Sequence, residues 1–397
     1  MNISKYIAVA GLLIAGTSYG QLDRSIVPSP QPAKEIKIGQ PDVFKLSNGL
    51  TVLIVENNKI PKISFQLSSD LGANQEGDKA GSIMITGELM GSGTTNRSKD
   101  VLDEEIDFMG ADLSTWSSGI YIAGTKKHME KCAEIMADVL LNPTFPASEL
   151  ERLKEQNISA LASSKTSPGA ISSNVSGAVN YGLNHPYGEI MTEKTVENIT
   201  MDDVKAYYSK VFQPQISYLV IVGDAKASEI KPIVEKYFGS WAKGNAAKKT
   251  FPKVHMPHGN HVSFSPQEGA VQSSINVTFP VDLKPGDSDV MAATVMNQIL
   301  GGGGFGARMM QNLREDKAYT YGCYSSLKSD EIIGSFSTTG SFRTEVTDSA
   351  LTEILGEIKR ITQTEVTDEE LKLIKASMAG KLGTNRCPAM HHRHVLD

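Results

Sequence analysis

Cysteine is scarce in this sequence: only Cys132, Cys323 and Cys387 occur in 397 residues. The odd count and the lack of any CxxC spacing exclude a disulfide framework and a thiolate metal site, leaving Cys132 and Cys323 as small apolar core residues. No long basic run is present, and 39 basic against 45 acidic residues give a net charge of −6. The chain therefore lacks the electrostatic footprint of a nucleic-acid or anionic-lipid binder, and no nucleic acid is expected among its partners. The apolar run at 6–15, preceded by Lys5, is too short to span a bilayer. The small residues Ser18 and Gly20 follow it where a signal peptidase reads the chain, so residues 1–20 are expected to be a signal peptide cut before Gln21. With no cysteine at the cut to carry a lipid, an exported protein without a membrane span is expected, in a bacterial periplasm.

What remains is ordinary globular material, 40% apolar and 21% charged, long enough for two domains of roughly 150–200 residues each. After an extended Pro-rich leader at 21–40, alternating residues around Asn48-Gly49 predict a hairpin at 43–55, and 63–71 reads as a further strand. Helical periodicity follows at 80–90 and 98–109, then strands at 111–118 and 119–125 and a long helix at 128–141. A Pro-rich joint leads to a charged helix at 147–164. Helices at 200–211 and 228–238 flank a strand at 216–222.

The second half repeats this order, with strands at 273–279, 319–326 and 333–340, helices at 287–300 and 305–315, and a long helix at 346–361. Gly301 to Gly304 lack the Gly-Lys-Ser/Thr ending of a phosphate loop and read as a flexible joint. The clearest echo pairs FPASELERLK (145–154) with VTDEELKLIK (366–375), each opening a helix with a capping Ser or Thr and an acidic residue. The fold class is α+β, a duplicated unit: a first domain at 41–241, a linker at 242–257 and a second domain at 258–397. The copies end differently: KLGTNRCPAMHHRHVLD at 381–397 has no period, so the C-terminal copy is expected to be incomplete.

Several stretches carry a resemblance: GSIMITGELMGSGT (81–94), LNPTFPASELERLKEQ, NHPYGEIMTEKTVENIT, YLVIVGD, KYFGSW and ILGGGGFGARMMQNLREDKAYTYG. Together they resemble the pitrilysin/insulinase family of zinc peptidases, also called M16, particularly its bacterial single-chain branch, over about 44–380. The resemblance implies two ferredoxin-like, LuxS/MPP-like domains, each a mainly antiparallel sheet packed with helices. Active members carry an inverted zinc motif, H-x-x-E-H, whose histidines hold the metal and whose glutamate activates water. On that frame the first His falls on Met84, the Glu on Gly87, the second His on Glu88, and the third ligand on Ala160. A thioether, a hydrogen and one carboxylate cannot hold Zn²⁺, so no metal or other cofactor is expected in this chain. Glu88 reads as a residual cation ligand or as an ordinary solvated glutamate. His255, His258 and His261 recur every third residue in a Pro/Gly-containing linker, which defines no helix face; His391, His392 and His394 crowd the tail.

The family's second motif, an Arg and a Tyr separated by six residues, is matched by Arg314 and Tyr321 in LREDKAYTYG. The resemblance implies that these two grip the peptide carbonyl and stabilise the oxyanion. The residues by themselves also read as a solvated helix end and as one buried strand face made by Tyr319, Tyr321 and Cys323. Split members of the family resemble pairs in which one chain holds zinc and the other the Arg/Tyr pair. The reading is thus a zinc-less companion subunit that pairs with a zinc-bearing homologue, the zinc lying in that partner, to act on unfolded peptides. The alternative is a non-catalytic peptide-binding or assembly protein of the same fold.

Overall fold

The computed structural model describes residues 40–245, 254 and 259–384. The expected signal peptide, most of the leader and of the linker, Cys387, His255, His258 and the tail histidines lie outside the described residues.

The predicted hairpin forms from β1 (Asp42–Lys45) and β2 (Thr51–Glu56), paired antiparallel. Gly49 turns the chain at a φ of 100°, where a side chain would be strained. Asn48 anchors that turn by donating to the carbonyls of Phe238 (2.8 Å) and Trp241 (3.1 Å), nearly 200 residues on. With β3 (Lys62–Ser69), β4 (Asp112–Trp116), β5 (Gly119–Thr125) and β6 (Ser217–Gly223) the hairpin completes a six-stranded sheet in the order β1-β2-β6-β3-β5-β4. Only the β2–β6 pairing is parallel. The run SYLVIVG suits β6 to that interior place, flanked on both edges.

The helices of this half are α1 (Ser82–Leu89), α2 (Lys99–Met109), α3 (Met129–Leu141), α4 (Ala147–Ser164), α5 (Pro168–Tyr181), α6 (Glu193–Glu197), α7 (Met201–Val211) and α8 (Ala227–Phe238). Helix α3 packs on β5 and against α8. Its apolar stripe, with Cys132 and Ile135, joins Phe65, Leu67, Ile120 and Ile122 in one buried core. The expected Ser cap of α4 is corrected: Ser148 lies inside the first turn, and Pro146 precedes the helix without a capping side chain.

In the second half β7 (Gln272–Val281), β8 (Thr320–Lys328) and β9 (Gly334–Arg343) form an antiparallel sheet in the order β7-β9-β8, repeating the β3-β5-β4 order of the first. Helices α9 (Val290–Asn297) and α10 (Arg308–Met310) lie between β7 and β8 in the chain, and α11 (Thr347–Gln363) and α12 (Asp368–Thr384) follow β9. Leu300, Met309, Leu313, Cys323, Phe336, Phe342 and Ile354 form the core of this half. Cys132 and Cys323 are both buried and unpaired, and burial pushes their thiols up, to about 11 and about 12.

The glycine run is no flexible joint. It continues α9 as a wide helical turn, Gln298–Gly302, in which Gly301 is buried against β8. A β-carbon there would sit 2.5 Å from the Ser325 nitrogen, so the close approach of helix to strand needs glycine. The expected helix at 305–315 is likewise shorter, α10 running on into a second wide turn, Gln311–Asp316.

Side-chain bonds join the halves. Asn180 of α5 donates to Thr278 Oγ1 of β7 (2.7 Å), Asn276 of β7 donates to Ser176 Oγ of α5 (2.7 Å), and the Tyr187 hydroxyl donates to the Asp330 carboxylate (2.9 Å).

Candidate functional site

The helix on which the resemblance puts the zinc-binding segment is α1. Its start lacks a capping side chain of its own, since Gly81 occupies the cap at a φ of 108°. Glu76 takes over: its carboxylate accepts from the N–H groups of Gly81 (3.0 Å) and Ile83 (2.8 Å) and from the Ser82 hydroxyl (2.9 Å). A carboxylate at a helix N-terminus satisfies orphan donors and complements the helix dipole. Burial nonetheless pushes the Glu76 carboxyl above its usual range, outweighing these hydrogen bonds. The other end is held by the GSGT turn. Asp138 of α3 accepts from Thr94 Oγ1 (2.7 Å), Asn96 Nδ2 (2.6 Å) and Arg97 Nη1 (2.5 Å). Burial alone would raise the Asp138 carboxyl, but these bonds and that from Asn142 bring it below the usual range.

Met84, Gly87 and Glu88 share one face of α1 through their spacing of three and four. Met84 and Glu88 are exposed, and Glu88 is the solvated glutamate. Gly87 is buried, its backbone pressed on the turn between β4 and β5: a β-carbon would lie 2.8 Å from Trp116 Cα and closer still to the Trp116 carbonyl carbon and the Ser117 nitrogen. Gly119 also lies against Trp116, where a β-carbon would meet the ring at 2.5 Å from Cε2. Two glycines thus clamp Trp116, whose indole nitrogen is buried without a hydrogen-bond partner among the described residues. Where the resemblance puts the water-activating glutamate, backbone of Trp116 and Ser117 occupies the space of a side chain. Ala160, on α4, is exposed and offers no donor atom to a metal. Among the described residues no group of three His, Cys, Asp or Glu could hold a metal ion.

Arg314 lies in the wide turn after α10, one-third exposed, with its guanidinium 4.5 Å from the centroid of the Phe305 ring and its Nε 3.5 Å from Glu315. Tyr321 stands on β8 and is 88% exposed. A buried strand face of Tyr319, Tyr321 and Cys323 is ruled out by a bulge. The pairing jumps from Thr320↔Phe342 to Cys323↔Gly340, one residue more on β8 than on β9. Within it Thr320 Oγ1 accepts from the Gly322 N–H (3.0 Å) and donates to the Ser341 carbonyl (2.6 Å). The extra residue breaks the two-residue period, so Cys323 turns into the core while Tyr321 turns outward.

Tyr321 and Tyr324 border a cavity of about 430 Å³ on this face of the second sheet, with Ser274, Gly322, Thr339 and Gly340; no charged side chain lines it. Arg314 is not among its lining residues, so the two candidate residues have separate neighbours. One further feature escaped the sequence reading. The guanidinium of buried Arg308 makes a two-pronged pair with Glu370 on α12 (2.6 and 2.9 Å), and the same carboxylate accepts from the Thr367 N–H (3.0 Å). The Arg308 bond holds the Glu370 carboxyl at about 2. The capping sequence TDEE was visible; its partner, 62 residues before Glu370, carried no local signal.

Fold and site define a zinc-peptidase scaffold without its zinc-binding and water-activating residues. The family comparison agrees: the model described as insulinase (peptidase family M16) matches residues 51–179, and that described as the peptidase M16 inactive domain matches residues 198–378. The chain belongs to peptidase family M16, as a catalytically incomplete member. It is similar to an uncharacterized zinc protease, YmxG, of Bacillus subtilis, at 25% identity over 85% of this chain and 83% of that one. A non-peptidase homolog, YmxG, of Helicobacter pylori is 22% identical over 69% of this chain and 64% of that one. The crystal structure of a peptidase M16 inactive domain from Pseudomonas fluorescens superposes with a TM-score of 0.78 at 25% identity, covering 86% of this chain and 84% of that one.

Proposed function

We propose that this chain is the zinc-less subunit of a split, exported peptidase, pairing with a zinc-bearing M16 homologue around an unfolded peptide. The observation that carries this reading is Tyr321: a large aromatic residue held 88% exposed by a dedicated bulge, beside an uncharged cavity, has no role in packing. The partner's zinc would supply Lewis-acid and water-activating chemistry. This chain's part is to hold the substrate and donate hydrogen bonds. The Tyr321 hydroxyl and the Arg314 guanidinium, swung off Phe305, donate to the peptide carbonyl oxygen as negative charge develops on it. The neutral cavity walls accept an extended backbone without selecting for charge. Retention of both groups where every zinc residue is gone supports the reading, as does a bacterial relative described as a non-peptidase homolog. The signal-peptide pattern of residues 1–20 supports export to the periplasm.

The test is cleavage of a peptide by a zinc-bearing homologue from the same source, alone and mixed with this chain. Activity is expected only on mixing, and Arg314→Ala or Tyr321→Phe is expected to lower kcat by about 10²–10³. No gain on mixing, or a gain indifferent to both substitutions, leaves the second reading: a peptide-binding or assembly protein. The position of Arg314 over Phe305, away from the cavity, favours that alternative.

A further inference from the structure

The turn from His185 to Gly188, in the stretch NHPYGEIMTEKTVENIT, has no part in the site at Tyr321. His185 is 4% exposed. Its ring stacks on that of Tyr181, the last residue of α5, at a centroid distance of 5.6 Å, and meets the edge of the Tyr187 ring at 5.1 Å. The Tyr187 N–H donates to His185 Nδ1 (3.1 Å), and the Tyr187 hydroxyl donates to the carboxylate of Asp330, in the connection between β8 and β9 (2.9 Å). One residue thus bonds the imidazole through its backbone and the second half through its side chain. The His185 carbonyl accepts from the N–H groups of Gly188 and Glu189 (both 2.9 Å). The Glu189 carboxylate in turn accepts from the N–H groups of Gly77 (2.6 Å) and of Glu76, the residue that caps α1 (2.9 Å).

A backbone N–H only donates, so the His185 nitrogen facing it is the bare, accepting one, and the neutral ring carries its proton on Nε2. A second proton can go only to Nδ1, where two N–H groups would then point at each other. The rings of Tyr181 and Tyr187, packed against the imidazole, resist its turning aside. Charging His185 therefore requires the turn to open, and opening moves Tyr187, which carries the bond to Asp330. Burial pushes the His185 imidazole below its usual range, outweighing the Asp330 and Glu189 carboxylates that face it. Burial, and after it the bond to Asp330, pushes the Tyr187 hydroxyl upward, so that it stays a donor. The bonds of Asn180 and Asn276 across the halves join amides to hydroxyls and do not titrate.

We propose that His185 and Tyr187 form an acid-released latch between the two halves, closed while Nδ1 accepts the Tyr187 N–H and opened when Nδ1 takes a proton. In the open turn His185 regains its ordinary value of 6.5, whereas the closed turn binds the second proton less readily. Closure is therefore fully favoured above 6.5 and loses ground as pH falls below it. Where the closed turn keeps the proton off Nδ1, opening grows by about tenfold per pH unit below that value. Through Glu189, release also reaches the segment that caps α1.

The test is hydrogen exchange on the full chain at pH 7.5 and 5.5, one unit either side of 6.5, with rates corrected for the intrinsic pH dependence of exchange. Protection of the Tyr187 N–H and of the α5 amides is expected to fall about tenfold between the two. In His185→Asn, whose Oδ1 can accept the Tyr187 N–H but takes no proton, protection is expected to be equal at both. The carboxylates around the cluster, Asp330, Glu331, Glu189 and Glu76, all remain in that variant, so a loss that persists in it belongs to them and overturns the proposal. In Tyr187→Phe, α5 is expected to be poorly protected at both pH values, while the N–H at that position still responds to acid; wild-type protection of α5 in this variant overturns the link to Asp330. Nitrogen NMR of the imidazole in the unaltered chain decides the matter without a variant. Nδ1 is expected to be bare at pH 7.5 and to take its proton with the midpoint of the exchange change. A proton on Nδ1 at pH 7.5, or protection equal at both pH values in the unaltered chain, overturns the proposal. Because neither zinc nor cleavage enters, failure here leaves the split-peptidase reading untouched, and the reverse.

Discussion

A glutamate at position 87 would have to displace the turn between β4 and β5, because the backbone of Trp116 and Ser117 occupies the space where its β-carbon would go. Gly87→Ala is therefore expected to destabilise the protein by about 1–3 kcal/mol, an overpacking penalty readable in urea denaturation. The combined change Met84→His, Gly87→Glu and Glu88→His is expected to leave the purified protein without stoichiometric zinc by metal analysis, since the third ligand position is Ala160. The loss of the motif was legible in the sequence as missing letters. The closure of its site was not, because the residues that close it, Trp116 and Ser117, lie at the far end of β4 and show nothing locally. A second residue-scale expectation concerns Arg308 and Glu370. Glu370 has a folded pKa of about 2, below its ordinary 4.5, so its stabilising contribution is full above that ordinary value and is lost as pH falls toward about 2. Glu370→Gln should flatten the acid side of the stability–pH curve in that window. Glu370→Ala, which leaves Arg308 buried and unpaired, should cost about 3 kcal/mol at neutral pH.

Helix α1 illustrates the element scale. Its spacing predicted a helix, but its cap is Glu76, five residues before Gly81 and outside any local capping box. Glu76→Ala is expected to cost about 1–2 kcal/mol and Glu76→Gln, which keeps an acceptor, less; thermal unfolding distinguishes them. Most strands and long helices fell where periodicity put them, since alternation and the 3.6-residue repeat report burial directly. What periodicity could not report was pairing. The insertion of β6 between β2 and β3 depends on contacts some 150 residues apart. The bulge at Tyr321 depends on a count across two strands. In each case the deciding neighbour is distant in sequence. The glycine run at 301–304 has the same kind of origin: the need for glycine at 301 comes from Ser325 on β8.

On the scale of the whole molecule, the two sheets are tied by side-chain bonds between α5 and β7 and by the Tyr187–Asp330 pair. Tyr187→Phe removes one hydrogen bond to a carboxylate, and is expected to lower the unfolding free energy by about 1.5–3 kcal/mol and to speed amide exchange in α5. The duplication itself was visible in the sequence from the FPASELERLK and VTDEELKLIK echo, whereas the unequal sheets, six strands and three among the described residues, emerge only from the pairings.

That tie bears on how a two-chain chamber would admit a peptide. Tyr187, Asn180 and Asn276 bond one half of the chain to the other, so bending between the halves would have to break these bonds. On the proposed split-peptidase reading, a chamber that opens at the seam between two proteins would leave those bonds intact, and the rate of turnover would follow how tightly the two proteins hold one another.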